Sequence, residues 1–65
     1  MISQAEKDRI FDMAKFINVT INGEPARVCG RLLDFPVVTS GLYHAEFSWP
    51  AVERVLQAGG DFALL

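Results

Sequence analysis

One cysteine and one histidine are all that this chain has of the residues that most often hold metals or pair as nucleophile and base. A metal site of several nitrogen or sulfur ligands cannot be assembled from them within one copy, and no internal disulfide can form. There is no glycine-rich phosphate loop, dinucleotide fingerprint, nucleophile elbow or paired-histidine zinc motif. Carboxylates are scattered singly, so neither an enzyme nor a cofactor is expected. Long apolar runs are missing too; none approaches the ~18 residues that a membrane span needs. Positive charge is in short supply, with six Lys and Arg against eight Asp and Glu and a net charge of −2. That balance argues against a nucleic-acid partner and for a basic protein one. No charged, hydrophobic leader stands at the N-terminus, and with a lone Cys29 the expected setting is the reducing cytosol. Repeats, linkers and low-complexity segments are also absent.

What the chain does have is apolar mass. At 65 residues and 51% hydrophobic, with five Phe, one Trp and one Tyr, it is composed as a folded globule, near the lower size at which one core outweighs conformational entropy. A single α+β domain over residues 1–65 is expected.

The pattern of elements follows from periodicity. Ser3 and Glu6 have the spacing of a capping box, and a helix from about Gln4 to Lys15 follows it. Ile10, Phe11 and Ala14 form its buried stripe with Met13 at the edge, and Glu6, Asp8, Arg9, Asp12 and Lys15 face water. Phe16–Asn22 then switches to period two, with Ile17, Val19 and Ile21 on one side. Asn22-Gly23 is the favoured centre of a type I′ hairpin turn. It pairs Ile21 with Glu24, Val19 with Ala26 and Ile17 with Val28, and sets Asn18 beside Arg27 and Thr20 beside Pro25. Pro25 cannot donate to a ladder, so this strand is expected at an edge. It runs on to about Leu33, with Arg27 and Arg31 on the polar face and a bend or bulge at Gly30.

Val37-Val38-Thr39 reads as a further short strand and Ser40-Gly41 as a turn before Leu42–Phe47. In that last strand Tyr43, Ala45 and Phe47 face the core. Ser48 or Trp49 caps a second helix with Pro50 in its first turn. Trp49, Val52, Val55 and Leu56 form its apolar stripe, Glu53, Arg54 and Gln57 face water, and Gly59 stops it. Asp61–Leu65 adds an edge strand or packs as a tail. The expected fold is thus a small antiparallel sheet of three to four strands, with its hairpin at Asn22-Gly23, packed with an N-terminal and a C-terminal helix.

Function is carried by surface. Asp8 and Asp12 stand one helical turn apart, where like charges repel slightly, and are the first candidates for contact with a partner; Glu24 and Glu53 are second. Arg27 and Arg31, joined by Asn18, Thr20 and His44, make the rival nucleic-acid face. Cys29 and His44 form a reactive pair only if the strands bring them together, and a small buried cysteine with an exposed histidine accounts for the same residues. Asn18-Val19-Thr20 matches a glycosylation acceptor, which carries no weight without a secretion signal. With Met1 at its head and an apolar Phe-Ala-Leu-Leu at its end, the chain has the look of a complete small gene product. The expectation is a non-enzymatic protein that occupies a basic groove of a partner; the alternative is a nucleic-acid-binding accessory protein. In size and charge, though in no motif, the chain is similar to small inhibitors encoded by phage and other mobile elements, including those that block CRISPR complexes.

Overall fold

Helix α1 spans Gln4–Lys15 and begins where the capping residues place it, with the Ser3 hydroxyl accepting the Glu6 amide at 3.2 Å. Ile10 is fully buried and is the anchor of the helix; Phe11, Met13 and Ala14 are half-buried around it. The computed structural model describes residues 2–30 and 34–64, so the expected continuation of a strand through Arg31–Leu33 lies outside the described residues, as does Leu65.

After α1 come β1 (Thr20–Ile21), β2 (Glu24–Pro25), β3 (Arg27–Cys29), β4 (Val37–Thr39), β5 (His44–Glu46), helix α2 (Trp49–Gln57) and β6 (Asp61–Phe62). The class is α+β, as expected, but the strands form two small sheets where one was expected. The first has the order β2-β1-β6 and the second β3-β4-β5. Asn22 and Gly23 both adopt positive φ, 50° and 85°, the condition for a type I′ turn. The register they set pairs Thr20 with Pro25 and Ile21 with Glu24, as derived from the sequence, and the Ala26 amide still donates to the Val19 carbonyl at 2.9 Å.

Beyond Ala26 the expected pairing stops. Ile17 does not pair with Val28, nor Asn18 with Arg27; β3 turns away and pairs antiparallel with β4, setting Arg27 against Thr39, Val28 against Val38 and Cys29 against Val37. Pro25 stands opposite Thr20 at a non-hydrogen-bonded position, so its nitrogen faces away from β1 and its missing donor marks only the outer edge of β2. What draws β3 away is Val38, which is fully buried and gives Val28 an apolar neighbour. Glu24–Cys29 therefore acts as one bent strand that switches sheets. The second sheet is antiparallel throughout, closed by β4 with β5 in the register Val37–Glu46, Val38–Ala45 and Thr39–His44. Tyr43, Ala45 and Phe47 are half-buried, and Leu42, His44 and Glu46 are exposed, as the alternation predicts.

Ser48 is the cap of α2, its hydroxyl accepting the Ala51 amide at 3.3 Å. Trp49, Val52 and Leu56 of this helix are buried. Its C-terminal end is a Schellman motif: the Gly59 amide donates to Leu56 and the Gly60 amide to Val55, at 3.2 and 2.8 Å. The chain then lies against β1 as a parallel strand, with Thr20 donating to the Gly60 carbonyl and Asn22 to that of Phe62. This settles the alternatives for the C-terminal segment in favour of an edge strand. Phe62 is 1% exposed and packs on Phe47 with ring centroids 4.9 Å apart. Gly60 is obligatory here for two reasons: its φ is +90°, and a Cβ on it would stand 2.6 Å from Ile17 Cγ2. Gly60→Ala is accordingly expected to destabilise by roughly 2–4 kcal/mol. Gly41→Ala, where a Cβ meets nothing within 4 Å, is expected to stay within about 0.5 kcal/mol. Urea midpoints of the two variants test the parallel docking, and equal midpoints would exclude it.

Candidate functional surface

Helix α1 carries three carboxylates, Glu6, Asp8 and Asp12, among three cations, Lys7, Arg9 and Lys15. What decides its outward character is where the cations go. Lys7 turns inward: its side chain is 12% exposed, its ammonium pairs with the Asp34 carboxylate, and it stands 6.0 Å from the centre of the Trp49 ring. Trp49 itself meets Phe11 edge to face at 5.1 Å and donates its indole N–H to the Asp34 carbonyl at 2.9 Å. Asp34 is therefore held by both helices, in a left-handed conformation (φ 67°) that aspartate tolerates.

Arg9 reaches across to α2 and pairs with Glu53 at 2.6 Å. This corrects the placement of Glu53 on the open-water side of α2: its side chain is 27% exposed and its charge is already answered within the chain. Asp8 and Asp12 are both exposed, as expected. Asp8 accepts the Gln4 side-chain amide at 3.0 Å and Asp12 meets Lys15 at 3.3 Å. Contacts of that kind between exposed groups are worth at most about 1 kcal/mol and exchange readily for contacts with a partner. Glu24 is exposed at the hairpin, opposite Ile21, and no hydrogen bond or ion pair joins it to α1 among the described residues. The four candidates thus divide into a helix pair, a Glu53 tied beside it through Arg9, and a separate Glu24.

The rival cationic face is brought together only in part. Cross-strand pairing puts Arg27, Thr39 and His44 in one row of the second sheet, so Arg27 and His44 do share a face. Arg31 lies outside the described residues. Thr20 belongs to the other sheet, where its hydroxyl donates to the Asp61 carboxylate at 2.6 Å. Cys29 is on the same face as His44 but two strands across and two residues along, about 12 Å away. That is too far for the imidazole to take the thiol proton. Among the described residues no three of His, Cys, Asp and Glu gather to hold a metal ion, and no helix is long and apolar enough to cross a membrane.

A shallow groove of about 450 Å³ opens where the bent strand passes the β4–β5 turn, lined by Pro25, Ala26, Arg27, Thr39, Ser40 and Gly41. The sequence places Ser40-Gly41 in a turn and Arg27 on the surface; the tertiary structure brings them together. The one local mark near it is Pro25, which signals a sheet edge. Compared with known proteins, the chain matches no family model, no curated protein and no solved structure.

The Arg9–Glu53 pair yields a measurable expectation. A double-mutant cycle with Arg9→Ala and Glu53→Ala should return a coupling of about 0.2–1 kcal/mol that shrinks as salt is raised. A coupling of zero at low salt would leave Glu53 available to a partner.

Proposed function

We propose that this protein is a non-enzymatic binding module that presents Asp8 and Asp12 of α1 to a basic groove of a partner protein. The observation that carries the reading is the sorting of charge around α1. The two aspartates are exposed one turn apart, while Lys7 is turned under the helix and Arg9 is neutralised by Glu53. A face with an acid excess on a helix anchored from behind by Ile10 can meet a basic groove without the fold adjusting. Glu53, held by Arg9 beside this pair, joins the surface only when a partner displaces that arginine, and Glu24 is a separate contact at the hairpin. The size of the chain and its net charge of −2 suit an inhibitor or adaptor that competes with phosphates for a nucleic-acid-handling complex, as a phage or mobile-element inhibitor would. The described surface offers no run of cations to support direct nucleic-acid binding, though Arg27 beside Thr39 and His44 keeps that alternative testable.

The test has two arms. Affinity capture from a bacterial lysate identifies the partner, and titration with the double variant Asp8→Lys, Asp12→Lys measures the site. The variant should keep its fold by circular dichroism, since exposed helix positions tolerate such changes to within about 0.5 kcal/mol. It should bind the partner at least about tenfold more weakly, with a smaller salt dependence. Undiminished affinity would remove the α1 site. Retention of the parent protein on immobilised DNA that falls steeply with salt would favour the nucleic-acid alternative.

A further inference from the structure

We infer that the groove at the bend between β2 and β3 binds the side-chain carboxylate of an acidic peptide. Three of the residues that line it carry donors. Arg27 is exposed and has no carboxylate partner among the described residues, whereas Lys7, Arg9 and Lys15 each meet one. The Ser40 hydroxyl oxygen accepts the amides of Leu42 and Tyr43 at 3.2 and 3.0 Å, and its own proton has no acceptor among the described residues. The Gly41 amide has no acceptor among the described residues.

Hydrogen bonds brace the turn that carries Ser40. The Ser40 amide donates to the Tyr43 carbonyl at 2.9 Å, and the Thr39 hydroxyl donates to the same carbonyl at 3.3 Å. Ser40 is therefore positioned before any ligand arrives, which lowers the cost of ordering on binding. The opposite wall, Pro25 and Ala26, offers apolar surface to the methylenes of a side chain. A volume of about 450 Å³ is within the range of small-ligand sites. Its open, shallow form suits a segment lying across it better than an enclosed small molecule.

Charge decides between the possible anions. A carboxylate brings one negative charge and two oxygens in a plane, which one guanidinium fork matches. A phosphate monoester carries about −1.5 to −2 at neutral pH and would be left undercompensated by a single arginine, with Glu24 three residues away along the same bent strand. A nucleic-acid backbone needs several cations in line. The groove is independent of the α1 aspartates and adds a second, oppositely charged contact to the surface of the protein.

The experiment titrates the ¹⁵N-labelled full chain with a capped pentapeptide of alanines around one central glutamate, with its glutamine counterpart, and with inorganic phosphate. The glutamate peptide should produce saturable shifts at the Gly41 amide and the Arg27 side-chain N–H. The glutamine peptide, and the glutamate peptide on Arg27→Gln, should each bind about tenfold more weakly or worse. Arg27→Lys, which keeps the charge and loses the fork, should fall between, and it stands in if Arg27→Gln loses its spectral dispersion. Absence of saturable shifts at Gly41, equal binding of the two peptides, or undiminished binding by the Arg27 variants would overturn the site. Phosphate producing the same shifts at a lower concentration than the glutamate peptide would overturn the assignment to a carboxylate.

Discussion

The structure depends on the insertion of Gly60–Phe62 beside β1. A two-residue hairpin by itself is marginal in water, and β1 and β2 are no more than that until a third strand arrives. The amides of Thr20 and Asn22 are satisfied by the carbonyls of Gly60 and Phe62, and the Asn22 side chain takes the Leu64 amide at 2.8 Å. Phe62 then supplies the largest fully buried side chain of the described residues. Burying one such ring contributes roughly 1.5–3 kcal/mol, and its contact with Phe47 ties the first sheet to the strand that leads out of the second. The route is set at the end of α2, where the Schellman turn reverses the chain and Gly60 lets it pass against Ile17 at a distance that no side chain would allow.

A second dependence runs through charge. Ion pairs of this exposure add little to stability, but they decide which charges remain for the outside. Lys7 under α1 helps to brace Asp34, and through it the chain that enters β4, while Arg9 ties α1 to α2 at Glu53. With Lys7 and Arg9 each answered by a carboxylate from elsewhere in the chain, α1 shows Glu6, Asp8 and Asp12 to solvent, and of its cations Lys15, which meets Asp12, is the one not tied to another element. The acidic reading of the surface rests on this sorting rather than on the overall charge, since the sequence of α1 has as many cations as carboxylates.

Much of the fold was legible because it is written in short-range chemistry. Ser3 and Ser48 cap their helices through their own hydroxyls, Asn22-Gly23 sets a two-residue turn and with it the register of its nearest neighbours, and the stripes of Ile10 and of Trp49, Val52 and Leu56 are periodic. Half the candidate site was legible in the same way, since Asp8 and Asp12 need only the helix to be placed. Glu53 was not, because its role depends on Arg9, which is 44 positions away and reaches it only across two packed helices.

The sequence by itself determined the two helices, the cap of the first and that of the second to within one residue, the hairpin turn and the inward faces of the strands, all of which depend on residues within about one turn or one strand of each other. Only the tertiary structure decided that the strands part into two sheets, that β6 joins β1 in parallel, and that Arg27 meets Ser40 and Gly41 at a groove. Pro25 shows why. Locally its missing amide hydrogen faces away from β1 and marks only an edge; that the chain bends follows from Val28 finding Val38 ten residues further on, and the energy of that meeting is absent from any local pattern.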